Sequence, residues 1–101
     1  MVPDTKEERK YTVDSKLLPL KYQQITALSS AVGLKPATHA RIAKIQAISE
    51  DVRWRDDGGT PTATVGMVLA AGGEMNYTGD LTKIVFIETS ASAELNVSYY
   101  F

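Results

Sequence analysis

The sequence predicts an all-β fold, an antiparallel sandwich or barrel preceded by an extended N-terminal arm. Short β-prone segments recur at a spacing of roughly 8–12 residues, and glycine-containing turns separate them. No alternation of strands and helices, which would indicate a parallel sheet, is present. A chain of 101 residues suits one domain, so we place the arm at residues 1–20 and the β domain at residues 21–101.

The arm is polar and carries neighbouring charges of both signs between residues 6 and 10. Such a segment is typical of a solvated tail. The alternative is a segment that becomes ordered on a partner protein, anchored by the apolar residues around Pro19, which are Leu17, Leu18 and Leu20. Pro19 argues against a helix through this stretch, because proline breaks helical hydrogen bonding.

The next segments are less regular. Residues 21–29 form an imperfect strand pattern, and residues 31–36 are predicted to be a loop because they contain a glycine and a proline. Residues 38–48 leave two interpretations open. The isoleucines follow the spacing of a helix face, whereas the alternating run Ala43, Ile45 and Ala47 suits a strand.

The stretch "VRWRDDGGTPTATVGM" predicts a strand that runs into an exposed turn. Alternation places Val52 and Trp54 inward, with Arg53 and Arg55 on the outer or subunit-facing side. The arginines are candidates for pairing with Asp56, Asp57 or the carboxylates of a neighbouring subunit. The Asp-Asp-Gly-Gly sequence favours a turn over a calcium loop, because the alternating ligands of such a loop are missing.

The last third of the chain has the clearest strand patterns. Strands are predicted in residues 64–70, 74–78 and 81–89, with Met75 and Tyr77 on one face of the second. Residues 90–101, "SASAELNVSYYF", alternate most regularly, which predicts a half-buried strand. The side chains expected on its inner face are Ala93, Leu95, Val97, Tyr99 and Phe101, and those on its outer face are Glu94, Asn96, Ser98 and Tyr100.

Composition argues against several classes of function. Eleven basic and twelve acidic residues lack the basic surplus expected of a nucleic-acid-binding protein. The chain contains no cysteine and one histidine, so a histidine-rich metal centre of a cupin-like enzyme cannot be assembled within it. We predict His39 to be structural or solvent-facing, and we expect no enzyme activity, metal or other cofactor. No apolar run suggests a signal peptide or membrane helix, so we expect folding in the cytoplasm.

Residues 52–100 resemble a group of small structural proteins of tailed bacteriophages. The resemblance rests on an Arg-aromatic-Arg-Asp-Asp-Gly turn, a Pro-Thr-Ala-x-x-Gly segment, an aromatic-x-Gly-Asp-Leu step, and closing Ile-x-Phe-Ile and Leu-Asn-Val-Ser-Tyr-Tyr runs. It covers about half of the chain. The matching segments are Arg53 to Gly58, Pro61 to Gly66, Tyr77 to Leu81, Ile84 to Ile87 and Leu95 to Tyr100. The sequence departs from the pattern by an extra glycine, Gly59.

The resemblance implies a non-enzymatic virion component, assembled in the host cytoplasm, with a single antiparallel β-sandwich of jelly-roll-like form. We expect a capsid decoration or cement protein that binds the shell or other virion proteins as a homo-oligomer, without contacts to nucleic acid or membrane. The alternatives are a neck or tail accessory protein and a carbohydrate-binding module that uses Trp54, Tyr77, Tyr99 or Tyr100. The expected interface residues are Leu17, Leu18, Leu20, Arg53, Trp54, Arg55 and Tyr100.

Overall fold

The computed structural model of the protein describes residues 16–101, which form eight β-strands and contain no helix. The all-β prediction is therefore confirmed. The strands are β1 (Pro19–Ile25), β2 (Val32–Gly33), β3 (Ile42–Ile48), β4 (Val52–Arg55), β5 (Met67–Leu69), β6 (Glu74–Tyr77), β7 (Val85–Glu88) and β8 (Glu94–Tyr100).

The strands form two four-stranded antiparallel sheets that pack against each other. Sheet 1 has the order β1-β8-β3-β6, and sheet 2 has the order β2-β7-β4-β5. Four antiparallel strand pairs enclose one another along the chain, as in one long hairpin whose tip is the β4–β5 connection. From the outermost to the innermost, they are β1·β8, β2·β7, β3·β6 and β4·β5. Pairing of β3 with β8 and of β4 with β7 rolls that hairpin into a sandwich. This arrangement is a jelly roll, as predicted.

The core lies between the inner faces of the two sheets. On β8, Leu95, Val97 and Tyr99 are fully buried, and the residues between them are half-buried on the outer face. Small residues of the neighbouring strand make room for the large ones, because Ala43 lies opposite Tyr99 and Ala47 opposite Leu95. Sheet 2 completes the core with other fully buried side chains, including Val52 and Phe86.

The ambiguous segment 38–48 contains a strand. Ala43, Ile45 and Ala47 are fully buried, whereas Ile42 and Ile48 are half-buried on the opposite face. The strand pattern prevails because β3 is an inner strand of sheet 1, with β6 and β8 hydrogen-bonded on its two sides. The isoleucine spacing that suited a helix comes from apolar residues distributed over both faces of a strand.

Four local differences from the sequence-based expectations stand out. The first strand begins at Pro19, so two residues assigned to the arm belong to sheet 1, and residues 1–15 lie outside the described range. The segment 31–36 is not entirely a loop, since it contains β2. The strand predicted over 64–70 is shorter, because β5 begins only after Gly66. The inward placement of Phe101 is wrong, because its side chain is 48% exposed.

We expect Phe86→Ala to destabilise the domain by about 3–5 kcal/mol, because the fully buried ring would leave a cavity in the core. The matched control is Phe101→Ala, for which we expect a loss below about 1 kcal/mol because this ring is half exposed. Urea unfolding followed by the fluorescence of the single tryptophan would measure both changes. Equal losses for the two variants would contradict the assigned core.

Candidate functional site

The seven expected interface residues divide between the two sheets. Leu17, Leu18, Leu20 and Tyr100 lie at one end of sheet 1, where the start of β1 meets the end of β8. Arg53, Trp54 and Arg55 lie in β4, an inner strand of sheet 2. The side chains of the first group are largely exposed, whereas those of the second group mainly make contacts within the chain.

An apolar surface, which we call the terminal patch, is formed by Leu17, Leu18, Leu20 and Phe101. Their exposed fractions are 49%, 57%, 37% and 48%. The patch is held in place by the backbone, since Leu18 N–H donates to the Phe101 carbonyl at 3.1 Å and Phe101 N–H donates to the Leu18 carbonyl at 2.9 Å. Tyr100 is half-buried on the outer face of sheet 1.

Phe101 is further positioned by two neighbouring side chains. The guanidinium carbon of Arg41 lies 5.7 Å from the centre of its ring, which is a cation–π contact. The ring of His39 approaches it edge-on at 6.3 Å. His39 is exposed in a loop and has a φ of 70°, in keeping with the structural or solvent-facing role expected of it.

Two grooves adjoin the terminal patch. The larger, of about 550 Å³, is lined by Lys16, Leu17, Arg41, Ile42, Thr78, Gly79 and Phe101. The second, of about 280 Å³, runs along the outer face of sheet 1 and is lined by Leu17, Ile42, Lys44, Asn76, Thr78 and Tyr100. None of these lining residues is acidic; Lys16 and Arg41 make the larger groove basic, whereas Lys44 in the second groove is paired with Glu74. The larger groove therefore favours a partner that combines apolar side chains with acidic groups.

The two arginines of β4 make contacts within the chain. Arg53 Nη1 donates to the Gly66 carbonyl at 2.8 Å. Arg55 donates two hydrogen bonds to the Asp57 carboxylate, from Nε to Oδ1 at 3.0 Å and from Nη2 to Oδ2 at 2.8 Å. This bidentate pair is the intrachain alternative that the sequence left open. Both arginines lie on the outer face of sheet 2, opposite Val52 and Trp54, as predicted.

The turn after β4 is exposed, as expected, and is organised by Asp57. Its carboxylate also accepts the Gly59 N–H at 3.1 Å, and these contacts, the Arg55 hydrogen bond above all, lower the pKa of Asp57 to about 2. Gly58 has a φ of 89°, which favours glycine. A Cβ on Gly59 would lie 2.3 Å from the Arg55 guanidinium, so the extra glycine allows the backbone to pass over that side chain.

The aromatic residues considered for sugar binding are mostly inside the protein. Tyr99 is fully buried and Tyr77 is 8% exposed. Trp54 is half-buried, packs on the core and meets the Tyr77 ring edge-on at 6.1 Å. The Tyr77 hydroxyl donates to Asp56 Oδ2 at 2.7 Å, and burial together with this contact raises the pKa of Tyr77 to about 12. Burial likewise raises the pKa of Tyr99 to about 12.

A second apolar surface was not anticipated from the sequence. Val65, Met67 and Val68 have exposed fractions of 51%, 60% and 52%, and we call this surface the β5 edge. The sequence does contain a signal for it, since residues 58–73 include no Asp, Glu, Lys, Arg or His. A strand without charged residues is normally buried or paired on both sides. β5 is instead an edge strand of sheet 2 with exposed side chains.

The outer face of sheet 1 also carries a polar network that the sequence analysis missed. Tyr22 is 60% exposed, and its hydroxyl donates to Asn96 Oδ1 at 2.6 Å. Gln24 Nε2 donates to the same oxygen at 3.3 Å, and Asn96 Nδ2 donates to Gln46 Oε1 at 3.3 Å. This row of amides ends near the Lys44–Glu74 ion pair, whose charged atoms are 3.6 Å apart.

Residues 16–101 contain no group of three or more His, Cys, Asp or Glu side chains placed to hold a metal ion. In the same part of the chain there is no helix with the length and apolarity needed to cross a membrane. Comparison with protein-family models, curated proteins and solved structures finds no match to this chain.

We expect the stability of the protein to fall between pH 10 and pH 12. The neutral phenols of Tyr77 and Tyr99 are favoured in the folded state, where their pKa is about 12 instead of the ordinary 10. Their contribution is complete below pH 10 and is lost as the pH rises through 12. Urea unfolding across this range would measure the decline, and a flat profile would contradict it.

Tyr77→Phe should remove part of that alkaline decline. At neutral pH it should cost about 0.5–1.5 kcal/mol, because the hydrogen bond to Asp56 is lost. Tyr100→Phe is the control, since Tyr100 is half-buried on the outer face of sheet 1, away from the core, and we expect a change below about 0.5 kcal/mol. An unchanged alkaline profile in the Tyr77 variant would argue against its assigned contact.

Asp57→Asn should destabilise the protein only where Asp57 is ionised. The pKa of Asp57 is lowered from 3.8 to about 2, so its stabilising contribution is present above pH 3.8 and disappears as the pH falls through about 2. The difference between wild type and variant should therefore be constant near neutral pH and shrink in acid. Thermal unfolding at a series of pH values would test this, and a difference that stays constant down to pH 2 would contradict it.

Proposed function

We propose that the protein is a non-enzymatic structural component of a bacteriophage virion, a capsid decoration or cement protein that binds the assembled shell as an oligomer. The resemblance of residues 52–100 supports the phage assignment. The observation that carries the binding role is the terminal patch, four exposed large apolar residues located where the start of β1 meets the end of β8.

The terminal patch suits binding because its geometry is fixed before a partner arrives. Ordering a backbone residue costs roughly 1–2 kcal/mol, and burying a leucine side chain contributes roughly 1.5–3 kcal/mol. Leu18 is already hydrogen-bonded to Phe101, and Leu20 is already part of β1. Little of the ordering cost is therefore left for the binding step, so burial of these side chains translates into affinity.

The jelly roll is compatible with this role but does not decide it. The same fold occurs in viral capsid domains, lectin domains and cupins, so function must be argued from surfaces. The larger, basic groove beside the terminal patch adds chemical selectivity. Lys16 and Arg41 line the larger groove together with Leu17 and Phe101, and this combination suits an acidic, apolar segment of a shell protein.

Two alternatives remain as proposals. A neck or tail accessory protein would use the same surface against a different virion protein. A carbohydrate-binding module would use the outer face of sheet 1, where Tyr100 is half-buried and Tyr22 is exposed beside the amides of Asn96 and Gln46. Glycan-array binding that is lost in Tyr22→Ala, with the fold retained, would favour this last alternative.

Mass spectrometry of purified virions of the encoding phage is the direct test, and absence of the protein from the particle would refute the proposal. If it is present, the density of the intact particle distinguishes the capsid surface from the neck and the tail. If the protein lies at the neck or tail, it is an accessory protein of that structure and not a capsid decoration protein.

We expect the double variant Leu17→Ser, Leu18→Ser to bind shells lacking the protein at least about tenfold more weakly than wild type, because apolar burial is lost. Tyr22→Ser is the matched control, since Tyr22 is 60% exposed but lies outside both the terminal patch and the β5 edge. Co-sedimentation of the purified protein with shells would measure both affinities. Equal weakening in both variants would exclude the terminal patch as the contact surface.

A further inference from the structure

Three of the four sheet edges in residues 16–101 have features that discourage pairing with another strand. β1 contains Pro19 and Lys21, with a register shift between them. β6 carries Glu74, and β2 is only two residues long. Proline, charge, irregular register and short length are the usual means by which edge strands avoid association.

β5 is the fourth edge; it is three residues long, and it has no charge, no proline and no irregularity of register. Its only hydrogen-bonded neighbour is β4, and no other strand of residues 16–101 pairs with its second side. Met67 and Val68 on the strand and Val65 just before it are each more than half exposed. The edge therefore offers both unpaired backbone groups and apolar side chains to an incoming strand.

We propose that β5 pairs antiparallel with β5 of a second copy of this chain. The two copies would be related by a two-fold axis near Val68. Sheet 2 of one copy would then join sheet 2 of the other into one continuous sheet of eight strands. This inference deepens the oligomer part of the proposed function by identifying the surface through which the copies associate.

Charge selects a second copy as the occupant of the β5 edge. Two-fold pairing places each strand opposite itself, so a charged edge would bring like charges together, which is destabilising. Residues 58–73 contain no charged residue, and self-pairing of β5 therefore has no such cost. At the boundary of this uncharged run, Asp57 is already neutralised by Arg55.

Two-fold pairing also limits association to two copies. Each copy would use its single unprotected edge, and the remaining edges are the protected strands β1, β2 and β6. An isologous contact of this kind closes as a dimer and does not propagate into a filament. The terminal patch is at the start of β1 and stays available for the shell.

The absence of cysteine from the sequence permits a clean cross-linking test. In Val68→Cys, antiparallel pairing about the two-fold axis would place the two Cα atoms roughly 4.5–5.5 Å apart, within the range for a disulfide. Mild oxidation should then give a covalent dimer on a non-reducing gel. Tyr22→Cys is the control, because Tyr22 is 60% exposed but lies on β1.

Val68→Lys provides an independent readout that does not depend on the register of pairing. It places like charges opposite each other and should convert the dimer to a monomer in size-exclusion chromatography with light scattering. Tyr22→Lys should leave the dimer intact. Circular dichroism would verify that both variants retain the fold.

A monomeric wild-type protein, a dimer that survives Val68→Lys, or equal cross-linking in the two cysteine variants would each overturn the inference. Cross-linking of Val68→Cys to a shell protein instead of to itself would do the same. The first three results do not depend on whether virions contain the protein, so failure of the dimer and failure of the virion proposal are distinguishable.

Discussion

The pairing of β8 with strands on both of its sides is the interaction on which the rest of the structure depends. β8 joins β1 to β3, and without it sheet 1 would separate into an isolated strand and a two-stranded ribbon. Its inner residues Leu95, Val97 and Tyr99 are also the centre of the core. Hydrogen bonding and apolar burial thus coincide in one strand, and the terminal patch exists because β8 ends beside the start of β1.

The sequence allowed β8 and the strand character of the chain to be predicted because strict alternation on one strand is a local property. β3 could not be assigned, since its apolar residues occupy both faces and only its inner position in sheet 1 explains this. β2 is too short to have a pattern. Phe101 continues the alternation of β8 and still pairs with Leu18, but it lies beyond the last residue of β8 that pairs with β3, so the inner strand of sheet 1 does not cover its ring.

The candidate surfaces were predictable to different extents for the same physical reason. The Arg55–Asp57 contact joins residues two apart and was foreseeable from sequence. The three leucines of the terminal patch were foreseen, but Phe101 and Arg41 join them only through pairing of distant strands. The β5 edge was missed because an uncharged strand indicates burial, and its position at the margin of sheet 2 is a property of the topology.

The nesting of strands that makes the jelly roll has a kinetic consequence. Tyr22 and Asn96 are hydrogen-bonded although they lie 74 positions apart, and the outermost pair of the rolled hairpin encloses all the others. Closing so long a loop costs conformational entropy before burial of the core residues can offset that cost. Domains dominated by such long-range pairing therefore fold slowly. During synthesis sheet 1 stays incomplete until β8 has left the ribosome, and the apolar β5 strand is already present in the meantime. That interval is when this chain is most exposed to aggregation, and pairing of β4 with β5, which are joined by residues 56–66, would cover one side of β5 during it.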